Sequence, residues 1–272
     1  MTTDNGVFIN GTNTTLREYL GIDNLRGKKL GIVGDSISTF SGYLPSGYAN
    51  LYPNGNGYIT SVEQTWWKKL MNYTGMELCV NASWSGSTLC GDTSMTTGYV
   101  GCSDARVNAL TNKDGETPDV IVVFMGINDF AKANGYECGS YDGSALVSSI
   151  GKAVTITSMS EAYGVLLNKL KNTYPNAEIY CMTILPERFI YTDMQDSHKN
   201  GFPNINPVDN VTLPTFNEQI KKIAHAFGCG VIDAYSCADF YTILDHSKDG
   251  LHPNEDIMEK IAQLAVKVIS KH

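Results

Sequence analysis

Serines, a histidine, carboxylates and side-chain amides stand together in four short polar segments of the 272-residue chain. They are Gly34-Asp35-Ser36-Ile37-Ser38, Asn81-Ala82-Ser83-Trp84-Ser85-Gly86, Gly126-Ile127-Asn128-Asp129 and Asp249-Gly250-Leu251-His252-Pro253. A serine hydroxyl is a weak nucleophile until a neighbouring base takes its proton, and histidine is the side chain best suited to that task near neutrality. A carboxylate can orient the imidazole, while an amide or a backbone N–H can receive the negative charge that forms on an attacked carbonyl oxygen. Those residue types together fit hydrolysis through a covalent intermediate. Each also has a plainer job: Ser36 could cap a helix, Asn128 could satisfy a turn, and Gly86 could relieve a tight one. Asp245, His246, Asp249 and His252 lie close enough in sequence to suggest metal ligands instead. Of the other histidines, His225 sits between two alanines on a helical stretch and reads as a surface residue, and His198 falls in a long loop.

The elements that must hold these segments are legible in the apolar pattern. Five runs, LGIVG (30–34), ELCVN (77–81), DVIVVFMG (119–126), EIYCMTI (178–184) and GVIDA (230–234), are continuous rather than alternating. Such runs predict strands covered on both faces, as in a parallel sheet between helix layers, which is an α/β sandwich. The helices follow from spacing: Trp66/Leu70 and Trp67/Met71; Met159, Ala162, Leu166 and Leu170 before Pro175; Phe216, Ile220, Ile223 and Phe227 after Pro214, with Gly228 as the stop. A last helix is expected from about Pro253, with Ile257, Ile261, Ala265 and Ile269 on one face. In an open parallel sheet the ligand crevice lies outside the carboxyl ends of the strands, and the first three polar segments directly follow predicted strands.

Composition excludes several classes. With 42% hydrophobic residues the chain can bury a large continuous core. Its formal charge of −8 and lack of a basic cluster make a nucleic-acid partner a poor expectation. Nothing approaches a membrane span, and the first 27 residues lack a signal peptide's apolar core, which leaves localisation open between cytoplasm and a secreted form without its leader. Seven cysteines form no CxxC or zinc spacing; Cys90/Cys102 or Cys229/Cys237 could pair. Residues 1–27 read as a polar arm or linker remnant, and 28–272 as one domain.

The four polar segments, in this order and each at its place beside a strand or helix, resemble the blocks of the SGNH (GDSL-type) hydrolase family over residues 28–270. The chain has no G-x-S-x-G elbow, so it does not resemble the α/β-hydrolases. The resemblance implies a three-layer, flavodoxin-like α/β/α sandwich around a five-stranded parallel sheet, with no cofactor and no metal. It also implies Ser36 as nucleophile, His252 as general base and then acid, and Asp249 as the residue that orients it. The oxyanion would be met by the backbone of Ser36 and Gly86 and the amide of Asn128. Asp35 and Asp129 read as hydrogen-bonding supports beside the site, Asp35 also as a candidate substrate contact.

For substrate, the long loops at 40–60 and 186–214 and the aromatic residues Tyr43, Tyr48, Tyr52, Tyr58 and Trp84 suggest surfaces for sugar rings or small acyl groups. The same tyrosines could simply pack their own loop. The expected reaction is hydrolysis of short-chain or acetyl esters, with a carbohydrate ester or another small molecule as partner. Family resemblance also allows lipases and thioesterases, but no long apolar lid-like segment favours a lipase. From other classes, a flavin-binding protein using the Ser36–Thr39 loop as a phosphate cradle would leave Asp249 and His252 idle, and a non-catalytic carbohydrate-binding protein would have no use for the reactive set.

Overall fold

The computed structural model describes residues 21–55, 58–131, 135–141, 147–185, 205–237 and 251–271. Among these, five strands form one parallel sheet: β1 (Lys29–Gly34), β2 (Glu77–Asn81), β3 (Val120–Phe124), β4 (Glu178–Met182) and β5 (Gly230–Ile232), in the order β2-β1-β3-β4-β5. All four pairings are parallel, with Leu30 opposite Val120 and Ile121 opposite Ile179. The helices are α1 (Trp66–Thr74), α2 (Asp104–Asn108), α3 (Ile127–Ala131), α4 (Met159–Thr173), α5 (Leu213–Ala226) and α6 (Glu255–Ile269).

Continuous apolar runs become strands here because the pleat sends alternate side chains into two different cores. From β3, Val120, Val122 and Phe124 join one core with Trp66, Trp67 and Leu70 of α1 and Ile257, Ile261 and Ala265 of α6. Ile121 and Val123 join the other, with Leu166 and Leu170 of α4 and Phe216, Ile220 and Ile223 of α5. The result is the expected α/β/α sandwich. Burying a side chain as large as these contributes on the order of 2–3 kcal/mol.

Element boundaries moved where local chemistry overrode apolar spacing. β3, β4 and β5 stop short of the ends of their apolar runs. The last helix begins at Glu255 rather than Pro253, because Asn254 is its cap, its side chain accepting from the Ile257 N–H. The seven cysteines are all free thiols. Within residues 21–27, Ile22 and Leu25, three apart on a single 3-10 turn, are both buried, and Leu25 belongs to the α1/α6 core. Most of the 186–214 loop lies outside the described residues.

Sheet order reverses between β1 and β3, which leave in opposite directions to β2 and β4. A crevice is expected at the carboxyl ends of that central pair. Asp35-Ser36 follows β1 and Gly126–Asp129 follows β3.

Candidate active site

Ser36 opens a single 3-10 turn, Ser36–Ser38, directly after β1. The cap of that turn is Asp35, whose carboxylate accepts the Ile37 N–H at 3.0 Å. Capping is therefore Asp35's task and leaves the Ser36 hydroxyl free for another partner. The turn is fastened from below: Trp67 Nε1 and Asn81 Nδ2 donate to the Ser38 carbonyl at 3.0 and 2.8 Å, and Trp66 Nε1 donates to Ser38 Oγ at 3.0 Å. Gly34 is required by close approach, since a Cβ there would come within 2.6 Å of Ser83 Oγ and 2.8 Å of Ser38.

The Ser36 hydroxyl meets His252 Nε2 at 2.8 Å, across 216 residues of sequence. His252 sits just before α6, and the buried Tyr52 ring stands perpendicular to the imidazole with centroids 6.4 Å apart. The Tyr52 segment is tied back to the nucleophile turn, because Leu51 N–H donates to Thr39 Oγ1 and Thr39 Oγ1 donates to the Ser36 carbonyl, each at 2.9 Å. Asp249, Asp245, His246 and His198 lie outside the described residues. His225 is exposed on α5.

Asn128, nearly buried in α3, donates through Nδ2 to the Ser87 carbonyl at 2.9 Å. This is not the bond of a turn residue serving its own backbone: it reaches 41 positions back, to the loop after β2. An amide has two N–H groups, and Ser87 engages one of them. Asp129, 1% exposed, accepts the Leu89 and Cys90 N–H groups, each at 2.9 Å, and so pins the same loop one step further on. Gly86 has φ of 78°, a left-handed conformation that glycine adopts without strain. Its turn is closed by the Ser87 N–H donating to the Trp84 carbonyl at 3.1 Å.

The aromatic residues divide. Tyr48 and Trp84 pack with centroids 4.5 Å apart and their rings tilted by 43°, and Trp84 meets Tyr99 edge-on at 5.8 Å. Tyr43 belongs elsewhere, against Phe40 and Trp67. The residue that sequence reasoning missed is Arg106 of α2. It is fully buried, with its guanidinium 5.6 Å from the Tyr48 ring. A lone arginine in a five-residue helix carries no local signal of this placement.

Burial shapes the electrostatics. Desolvation pushes the Asp35 carboxyl up to about 6, against the opposing pull of its bond to Ile37 N–H and of His252 and Arg106. Desolvation likewise raises Asp129 to about 6 despite the bonds from Cys90 and Leu89 N–H. Arg106 is drawn down to about 10 by the same cause and stays cationic at neutral pH. A carboxyl whose folded pKa exceeds its ordinary 3.8 binds its proton more tightly in the native state, so its contribution to stability is full below about 4 and is lost as pH rises through 6. Stability should therefore increase from pH 7 to pH 5, by up to about 1.4 kcal/mol per pH unit for each group. Urea unfolding at the two pH values tests this. Asp35→Asn, which keeps the cap acceptor, should flatten the trend, and a rise that persists undiminished in that variant would assign it to other groups.

The model of the GDSL-like lipase/acylhydrolase family matches residues 28–225. The chain belongs to this family. The matched span includes Ser36, Gly86 and Asn128 and ends before His252, which the 2.8 Å contact links to Ser36. Among solved structures the chain is similar to a Bacteroides uniformis protein assigned to the GDSL-like lipases, with 25% identity and a TM-score of 0.58 over 88% of this chain and 93% of that one. A Bacteroides ovatus protein assigned in the same way is 24% identical, with a TM-score of 0.58 over 90% and 99% of the two chains. A Lactobacillus plantarum protein at 19% identity, TM-score 0.59 and coverage of 91% and 98% shares the fold. No curated protein matches the chain significantly by sequence. Membership of this hydrolase family implies ester substrates. No helix among the described residues is long and apolar enough to cross a membrane.

Proposed function

We propose that the protein is a serine ester hydrolase that works through an acyl-enzyme and prefers acetyl or other short acyl groups. The observation that carries this reading is the 2.8 Å contact between Ser36 Oγ and His252 Nε2. In the first half-reaction Ser36 Oγ attacks the ester carbonyl as His252 takes its proton, and the tetrahedral oxyanion is met by the Ser36 and Gly86 N–H groups and by Asn128 Nδ2. Collapse expels the alcohol, to which His252 returns the proton. Water then enters by the same route, with His252 as base, and the acid leaves. Asp249 is proposed to orient the imidazole and stabilise its cation.

Short acyl groups are supported by a small, mostly apolar cavity of about 10 Å³ lined by Ile37, Phe124, Ile127, Ile184 and Leu251, with Asp35 also on its wall. Ile37, Ile127 and Leu251 are the direct chain neighbours of Ser36, Asn128 and His252. On the alcohol side, the half-buried Trp84 and Tyr48 offer flat aromatic surface within two positions of Gly86 in the case of Trp84, which suits a sugar ring.

A panel of p-nitrophenyl esters from acetate to palmitate, run beside acetylated xylan and acetylated sugars, tests the reading. Acetate should turn over fastest, an organophosphonate should label Ser36 and abolish activity, and EDTA should leave activity intact. Faster turnover of palmitate would remove the short-chain preference. Labelling at another residue, or loss with EDTA and recovery with zinc, would remove the serine mechanism.

A further inference from the structure

Arg106 and Tyr99 take no part in the chemistry just described, yet they converge on the loop that carries Gly86. Arg106 donates from Nη1 to the carbonyls of Gly34 and Ala82 at 3.0 and 2.7 Å, from Nη2 to that of Tyr99 at 2.9 Å, and from Nε to that of Gly98. A buried guanidinium is costly unless its donors are engaged, and here they engage three separate segments. One ends β1, two residues before Ser36; one follows β2 and leads to Gly86; the third contains Tyr99. The Gly34 carbonyl also accepts the Trp84 N–H at 3.1 Å, so the nucleophile turn and the Gly86 loop meet at one oxygen.

Tyr99 completes the fastening. Its hydroxyl donates to the Gly86 carbonyl at 2.8 Å. On the other side, the Ser85 N–H donates to the Ala49 carbonyl at 2.8 Å. The Gly86 N–H therefore lies between two pinned groups, on a glycine whose left-handed backbone would otherwise have wide freedom.

We propose that Tyr99 and Arg106 are a positioning pair that holds the Gly86 amide in register with Ser36, Tyr99 by fixing the Gly86 carbonyl on the far side of the same residue and Arg106 by tying Tyr99 and the Gly86 loop to the end of β1. The proposal rests on the reading of Gly86 as an oxyanion donor. Both act through the backbone of other residues rather than on the reacting atoms. Their effect is on how well the amide is aimed at charge that exists only in the transition state.

The test is steady-state kinetics of Tyr99→Phe, Arg106→Lys and Arg106→Met on p-nitrophenyl acetate, normalised to the amount of Ser36 that an organophosphonate titrates. Affinity for a small boronic acid, which forms a tetrahedral adduct on an active serine, is measured alongside. Tyr99→Phe removes one hydrogen bond, and kcat per titrated site should fall about five- to tenfold with KM little changed. Boronate affinity should fall by the same factor as kcat/KM. Arg106→Met should cost about 10²-fold, the scale of a misplaced catalytic group, and Arg106→Lys should recover only part of that because an ammonium cannot span the carbonyls a guanidinium fork reaches. The proposal is overturned if Tyr99→Phe leaves kcat per site unchanged, if it acts on KM alone, or if all three variants lower only the titratable fraction. That last result would make the pair a folding element. Failure of the parent reading shows separately, as an unmodified protein whose Ser36 is not labelled, and it would remove the pair's function as well.

Discussion

Alanine at Ser36 is expected to lower kcat by about 10⁵- to 10⁶-fold, alanine at His252 to cost nearly as much, and the double substitution to cost little more than either. The reason lies in the 2.8 Å contact between the two side chains. A hydroxyl without a base is almost unreactive, and a base without its hydroxyl has only water to activate, so removing either removes the same covalent step. What survives would be the rate sustained by the oxyanion donors and by substrate binding, on the order of 10³-fold over the uncatalysed reaction. Burst titration with p-nitrophenyl acetate checks this directly: the release of one p-nitrophenol per site should vanish in Ser36→Ala. Additive losses in the double variant would mean that the two residues act in separate steps. Both variants should fold, because the nucleophile turn is held by Asp35, Trp66, Trp67 and Asn81 rather than by the Ser36 hydroxyl.

The parallel sheet was legible because strands buried on both faces leave uninterrupted apolar runs, and the five runs became the five strands. Much of the candidate site was legible for a related reason. Its first three segments follow strand ends directly, so their position relative to the runs places them in the crevice before any contact is known, whereas His252, which precedes the last helix, is tied to them by its contact with Ser36. Legibility ended where function depends on contacts between distant segments. Arg106 engages carbonyls 7, 8, 24 and 72 positions away, and backbone carbonyls have no sequence signature. Tyr43 and Tyr48, five positions apart in one Gly/Tyr-rich loop, look equivalent in the chain but join different aromatic groups, one against Trp67 and the other against Trp84. Tyr52 backs the His252 ring through a loop whose course only the fold reveals. The bland readings also resolved unevenly. Capping passed to Asp35, whereas the turn at Gly86 is real and coexists with the role proposed for its amide.

Asn128→Ala tests the other half of the proposed mechanism, the handling of negative charge. The substitution should lower kcat by about 10²- to 10³-fold, or roughly 3–4 kcal/mol of transition-state stabilisation, with little change in KM. The ground-state carbonyl oxygen carries only partial charge, whereas the tetrahedral oxygen carries nearly a full one, so a donor aimed at the latter acts on kcat. The bond from Asn128 Nδ2 to the Ser87 carbonyl makes the side chain a good candidate for such aim, because it fixes the amide plane before substrate arrives. The same bond predicts a second effect. Alanine leaves the Ser87 carbonyl without this donor, at a cost of about 1–3 kcal/mol, so the melting temperature should also fall. The two effects separate cleanly when rates are normalised to phosphonate-titrated sites below the melting transition: a fall in kcat per site belongs to oxyanion stabilisation, and a fall in titratable sites alone would belong to folding. If KM instead rises strongly while kcat per site holds, the amide binds the ground-state substrate and the oxyanion assignment for Asn128 is wrong.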